Sequence, residues 1–173
     1  MNYAREKFLL SFCYGLAQLN TLLSRDEKEV LKNVADQLGD QLENEKNEKN
    51  EKNDLEKSTA WEEYTELNLT EIINNNSSLK TIFYDIKSKV DNIDNIPQDL
   101  IPNYEELATV IPTINRPQER SIPNISRADF KSNEITNISI QILSSSEPLE
   151  TVKNIPKLQK LWNFISQNNS ENK

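Results

Sequence analysis

The sequence predicts a mainly α fold, built of helical hairpins with a proline-rich, partly extended C-terminal half and at most a small β element. Three observations lead there. Up to residue 96 the apolar residues recur at steps of three and four, the spacing of one helix face. Only two glycines, Gly15 and Gly39, weaken those runs. All seven prolines fall after residue 96, where the long helical patterns give way to shorter pieces.

Residues 1–43 read as an N-terminal helical hairpin. Across residues 3–20, Phe8, Phe12, Leu16 and Leu19 line one face with Leu9 beside them, and Leu23 follows. Ser24, with Glu27 three positions later, has the pattern of a capping box, in which each side chain satisfies the other's backbone N–H. The next helix presents Val30, Leu31, Val34, Leu38 and Leu42 on one face. So short a connection favours antiparallel packing of the two. Residues 44–58 contain three copies of Glu-Lys-Asn, a repeat that drifts around a helix and leaves no apolar stripe. This stretch is expected to be a charged linker or a solvated helical extension. Pairs such as Glu45 and Lys49 contribute only ~0.2–0.5 kcal/mol each to a helix.

Residues 59–111 form an acidic helical segment. Trp61, Tyr64, Leu67, Leu69, Ile72 and Ile73 mark one helix ending near Asn74 to Asn76. Ser77 or Ser78 is expected to cap the next, whose apolar positions are Leu79, Ile82, Phe83, Ile86, Val90 and Ile93. A short helix over residues 103–111 would carry Tyr104, Leu107, Ala108 and Ile111. Residues 112–132 are expected to be extended, because proline and the residue before it both disfavour the helix. Within residues 133–167, Ile138, Ile140 and Ile142 alternate, which predicts a strand at 134–143. A lone strand needs a partner strand in this chain or another. Ser146, Glu147 and Pro148 signal the start of one helix, and Pro156 opens a last one bearing Leu158, Leu161, Trp162, Phe164 and Ile165. Residues 168–173 read as a polar tail.

Composition removes several function classes. With no histidine, the usual general base at neutral pH and the commonest metal ligand are both missing. The single cysteine, Cys13, allows neither an internal disulfide nor a cysteine-based zinc site, and its apolar surroundings predict a buried, inert thiol. Two isolated glycines cannot build a phosphate-cradling loop. The net charge of −8 is concentrated in residues 61–109, which hold three basic and ten acidic groups. Such a surface repels nucleic acid. No run is long and apolar enough to span a bilayer. Arg5 and Lys7 before an apolar run give a superficial likeness to a secretory signal, but Glu6 and the lack of a small-residue cleavage site argue against one. A cytoplasmic location is therefore the expectation, under which the six Asn-x-Ser/Thr sequons reflect only abundant asparagine.

The reading that survives is a non-catalytic protein-protein interaction protein, an adaptor or a small accessory subunit of a larger assembly, with no cofactor. The expected contact residues are the aromatics Trp61, Tyr64, Tyr104, Trp162 and Phe164, since large aromatic side chains anchor interfaces. A sparse basic ladder, Arg116, Arg120, Arg127 and Lys131, could instead touch phosphates or an acidic partner, as in a small helical subunit of a nucleic-acid-containing complex. Two other classes compete. One is an acidic inhibitor imitating nucleic acid through residues 61–109. The other is a carboxylate-only metal-dependent enzyme using Glu62, Glu63, Glu66, Glu105 and Glu106, although di-metal helical sites normally add histidine.

Overall fold

The first helix, α1 (Tyr3–Gln18), is too apolar to have an outside face. From Arg5 to Leu16 every residue except Lys7 is buried, so neighbours must cover it all round. The computed structural model shows how. It describes residues 3–47, 61–103, 105–107 and 134–171, with the backbone alone at 3, 42–47, 61–63, 134 and 171. After α1 come α2 (Arg25–Asn47), a π-helical turn (Trp61–Glu66), α3 (Leu67–Asn75), α4 (Ser77–Asp91), a 3₁₀ turn (Gln98–Leu100), α5 (Glu134–Ser144), α6 (Pro148–Lys153) and α7 (Pro156–Glu171). The fold is mainly α, and no strand occurs among the described residues.

Helices α1 and α5 share the centre. From Ile135 to Leu143 every residue of α5 is buried. Each central helix feeds two apolar clusters. On one side, Leu10, Cys13 and Tyr14 meet Ile135, Ile138 and Ile142, closed over by Ile86, Val90, Ile101, Val152, Leu158 and Leu161. On the other, Phe8, Phe12 and Leu16 join Ile140 and Leu143, closed over by Leu31, Val34, Leu38, Leu69, Ile73, Leu79 and Phe83. Each such side chain contributes about 1.5–3 kcal/mol on full burial.

The strand expected at 134–143 is therefore a helix, and the cause is visible. The alternating isoleucines resolve into two helical sets. Ile135, Ile138 and Ile142 follow steps of three and four into one cluster, while Ile140 turns to the other. The intervening Thr136, Asn137, Ser139 and Gln141, which a strand would send to solvent, are buried as well. A helix satisfies its backbone within itself, so it can sit at the centre without a partner strand. Ser139 joins in, its hydroxyl donating to Ile135 O at 2.8 Å.

Other expectations change in detail. The capping box is present: Glu27 N donates to Ser24 Oγ and Ser24 N donates to Glu27 Oε1, both at 3.1 Å. The helices on either side of it do not form the expected hairpin. The backbone of α2 runs beside α5, and α1 runs beside α4 and α5. Val30, placed on the apolar face of α2 by its spacing, is exposed. Helix α2 extends through the first Glu-Lys-Asn copy to Asn47. Asn76, rather than Ser77 or Ser78, caps α4 by accepting from Leu79 N at 3.1 Å. The predicted polar tail continues α7 as far as Glu171. It is held there by Asn169, whose Nδ2 donates to Lys89 O at 3.0 Å and whose Oδ1 accepts from Asn92 Nδ2 at 3.0 Å. The helix expected at 103–111 is described only at residues 105–107. Asn103 and Glu106 close a second reciprocal cap there, each backbone N–H donating to the other's side chain at 2.9 Å. The extended region expected at 112–132 lies outside the described residues.

Gly15 sets the spacing between α1 and α4. A Cβ at that position would lie 3.3 Å from Leu79 Cδ1 and 3.9 Å from the Phe83 backbone. Alanine requires only a small shift of a flexible methyl, whereas a branched side chain pries the helices apart. Gly15→Val is expected to destabilise the protein by about 1–3 kcal/mol, read from the urea midpoint, with Gly15→Ala close to wild type. At the centre, Gln141 is 0% exposed, and neither atom of its amide has a hydrogen-bond partner among the described residues. An unsatisfied buried amide costs about 1–3 kcal/mol. Gln141→Met, similar in volume and without that amide, is therefore expected to raise the urea midpoint; a lower midpoint would count against the unpaired amide.

Candidate functional site

The π-helical turn at Trp61–Glu66 holds more residues per turn than an α-helix, so it shifts the phase of the side chains that follow. Thr65 faces inward, fully buried, and its Oγ1 accepts from Gln41 Nε2 of α2 at 3.0 Å. Asn68 Nδ2 donates to Gln37 Oε1 one turn earlier on α2 at 3.4 Å. Leu69, Ile72 and Ile73 enter the core. With those positions fixed, Tyr64, Leu67 and Glu71 fall on the outer face at steps of three and four. Tyr64 is 57% and Leu67 62% exposed. The far end of α3 is also tied down, since Asn76 Nδ2 donates to Glu27 Oε2 at 3.4 Å. The outer face thus stands on a backbone anchored to α2 at three points.

Other large apolar side chains with substantial exposure are scattered. Leu22 lies in the loop before α2, Val30 on α2, and Tyr84 on α4, where its ring meets Phe83 edge-on with centroids 5.3 Å apart. Single exposed apolar residues are ordinary; two adjacent on one anchored face are less so.

The residues expected to form the interface do not all gather here. Tyr64 does. Trp61 opens the π-turn, but its side chain lies outside the described residues, as do Tyr104 and the ladder Arg116, Arg120, Arg127 and Lys131. Trp162 and Phe164 are half-buried against the first apolar cluster. The Trp162 ring packs at 5.1 Å from Tyr14, with Lys89 Nζ 5.8 Å from its centroid. Its principal contacts are therefore those of the fold. Leu67 was missed as a surface residue, because its spacing with Trp61 and Tyr64 reads as an ordinary buried helix face. Within α3, however, Leu67 lies opposite the buried Leu69, Ile72 and Ile73.

The described carboxylates do not converge, and the side chains of Glu62 and Glu63 lie outside the described residues. Glu106 is engaged by its cap and by Lys157 at 3.2 Å, and Asp91 by Lys87 at 2.7 Å. Among the described residues no three acidic or cysteine side chains are grouped as metal ligands would be. No described helix is long and apolar enough to cross a membrane.

Between α1, α5 and α7 lies a small cavity of about 10 Å³, lined by Leu10, Cys13, Tyr14, Pro102, Ser139 and Leu158 among others. That is roughly the space one water needs, far below a substrate pocket. Cys13 borders it. Burial pushes its thiol up to about 12, against which a bond to Ser139 Oγ at 3.8 Å pulls only weakly. Tyr14 is also raised, by burial first and by Cys13 second, and donates its hydroxyl to Leu158 O at 2.6 Å. A thiol held this high is a poor nucleophile. Because its folded value exceeds its unfolded one, its contribution to stability is fully present below pH 9.0 and declines as pH rises toward about 12. Two outcomes are expected: a maleimide leaves Cys13 unmodified in the native protein at pH 8 and labels it fully in denaturant, and Cys13→Ala softens the loss of stability at alkaline pH. Rapid labelling of the native protein would refute the burial argument.

Compared with known proteins, the chain matches no family model, no curated protein and no solved structure.

Proposed function

We propose that this chain is a non-catalytic protein-binding module, an adaptor or small accessory subunit, that engages its partner through the outer face of the π-turn and α3. One observation carries the reading: Tyr64 and Leu67 stand exposed side by side on a backbone pinned to α2, while the rest of α3's apolar residues are buried. Keeping two large apolar groups in water forgoes burial worth about 1.5–3 kcal/mol each. A partner that covers them recovers that free energy. The anchored backbone means that little chain entropy is lost on binding, so more of the contact shows as affinity. Among the described residues, Leu22, Val30 and Tyr84 are exposed but scattered, Trp162 and Phe164 pack half-buried against the core, and the small cavity beneath α1 has no room for a substrate.

The experiment is affinity capture of the tagged, full-length protein from its native host, with quantitative mass spectrometry. Wild type and a control, Leu22→Ser, which alters an isolated side chain that is 88% exposed, should recover the same stoichiometric partner. The double variant Tyr64→Ala with Leu67→Ser should recover at least about tenfold less, since tenfold is about 1.4 kcal/mol. Equal recovery by all three, or no stoichiometric partner for wild type, would overturn the proposal.

A further inference from the structure

The charge around this face specifies the partner's chemistry. We infer that the face bearing Tyr64 and Leu67 receives a basic amphipathic helix of a protein partner, an inference that rests on the docking reading above. Residues 58–79, which include the π-turn and α3, hold four acidic side chains and no lysine or arginine. Residues 33–45 of α2 likewise hold four acidic side chains and no basic one. The hydrogen bonds Gln41–Thr65 and Gln37–Asn68 clasp these two single-signed segments together. Glu71 is exposed on the same stripe as Tyr64 and Leu67, one turn on. Asp36 and Asp40 adjoin the two clasping glutamines. Burial raises the Asp36 carboxyl, Lys32 opposes that, and Asp40 adds a smaller rise.

Two apolar residues three apart, flanked by carboxylates, match the complementary pattern of a helix with an apolar stripe and lysine or arginine beside it. The negative field repels acidic competitors and hastens the encounter with a basic one. Nucleic acid is disfavoured on the same ground.

The test uses the full-length protein and two synthetic helical peptides with one shared leucine stripe, their polar positions filled with lysine and arginine in one and with glutamate in the other. Binding is read by fluorescence anisotropy at low and high salt, and the site by hydrogen exchange. The basic peptide should bind at least about tenfold tighter than the acidic one. Its affinity should fall by about tenfold on raising salt from about 0.05 M to about 0.5 M, as exposed charges are screened. Protection should map to residues 64–75. Asp40→Lys with Glu71→Lys should weaken it about tenfold, and so should Leu67→Ser. Equal binding of the two peptides, protection elsewhere, or binding of neither overturns the inference. If Leu67→Ser abolishes binding while Asp40→Lys with Glu71→Lys leaves it unchanged, the charge assignment falls and the docking face stands. If neither variant matters, both fall.

Discussion

The contact between α1 and α5 is the constraint on which the rest of the structure depends. Both helices are buried around nearly their whole circumference. Placed side by side, with Cys13 against Ser139 at 3.8 Å, they cover part of each other and leave two opposite troughs to be filled. The amphipathic elements around them fill these troughs with their apolar faces. One trough takes α7, Val152 of α6 and the C-terminal end of α4; the other takes α2, α3, Leu149 of α6 and the start of α4. Helix α4 serves both, which is why Gly15 matters: it lets α1 approach the helix that spans the two troughs.

That arrangement also explains the polar cost at the centre. A helix enclosed on all sides has no solvent face for its polar residues, so Thr136, Ser139 and Gln141 are buried with it. Ser139 solves the problem locally, by donating to Ile135 O and accepting the Cys13 thiol. Thr136 Oγ1 and the Gln141 amide find no partner among the described residues. Their burial opposes folding, and the isoleucines beside them must outweigh it. At roughly 1.5–3 kcal/mol for each isoleucine against about 1–3 kcal/mol for each unsatisfied group, five apolar residues from Ile135 to Leu143 comfortably prevail.

Much of this fold was legible in the sequence. The apolar face of α4 followed from spacing, and the Ser24–Glu27 cap and the proline starts of α6 and α7 followed from local rules, whereas spacing gave α1 a single apolar face and the structure buries it on all sides. What spacing could not supply was pairing. A short loop between α1 and α2 argues for a hairpin, but the loop only limits how far apart the helices may lie. The neighbour of α2 is α5, more than eighty residues later in the chain. The strand error has the same root. Alternation marks a strand only when one face meets water, and at Thr136 or Gln141 the sequence gives no sign that the polar side is buried too.

The candidate site was harder to read for a related reason. Within the regular helix of α3, Leu67 lies on the side opposite Leu69, Ile72 and Ile73, whereas the sequence spacing grouped all of them with Trp61 and Tyr64. The π-turn inserts a phase change between Tyr64 and α3, and Thr65 locks it by placing its hydroxyl in the core against Gln41. Tyr64 and Leu67 fall on the side away from that contact, so the apolar pair is exposed on an element whose inner face is packed and hydrogen-bonded to α2. A surface fixed in that way is available to a partner without rearrangement, which separates it from the lone Leu22 on its loop and gives the binding reading its physical basis.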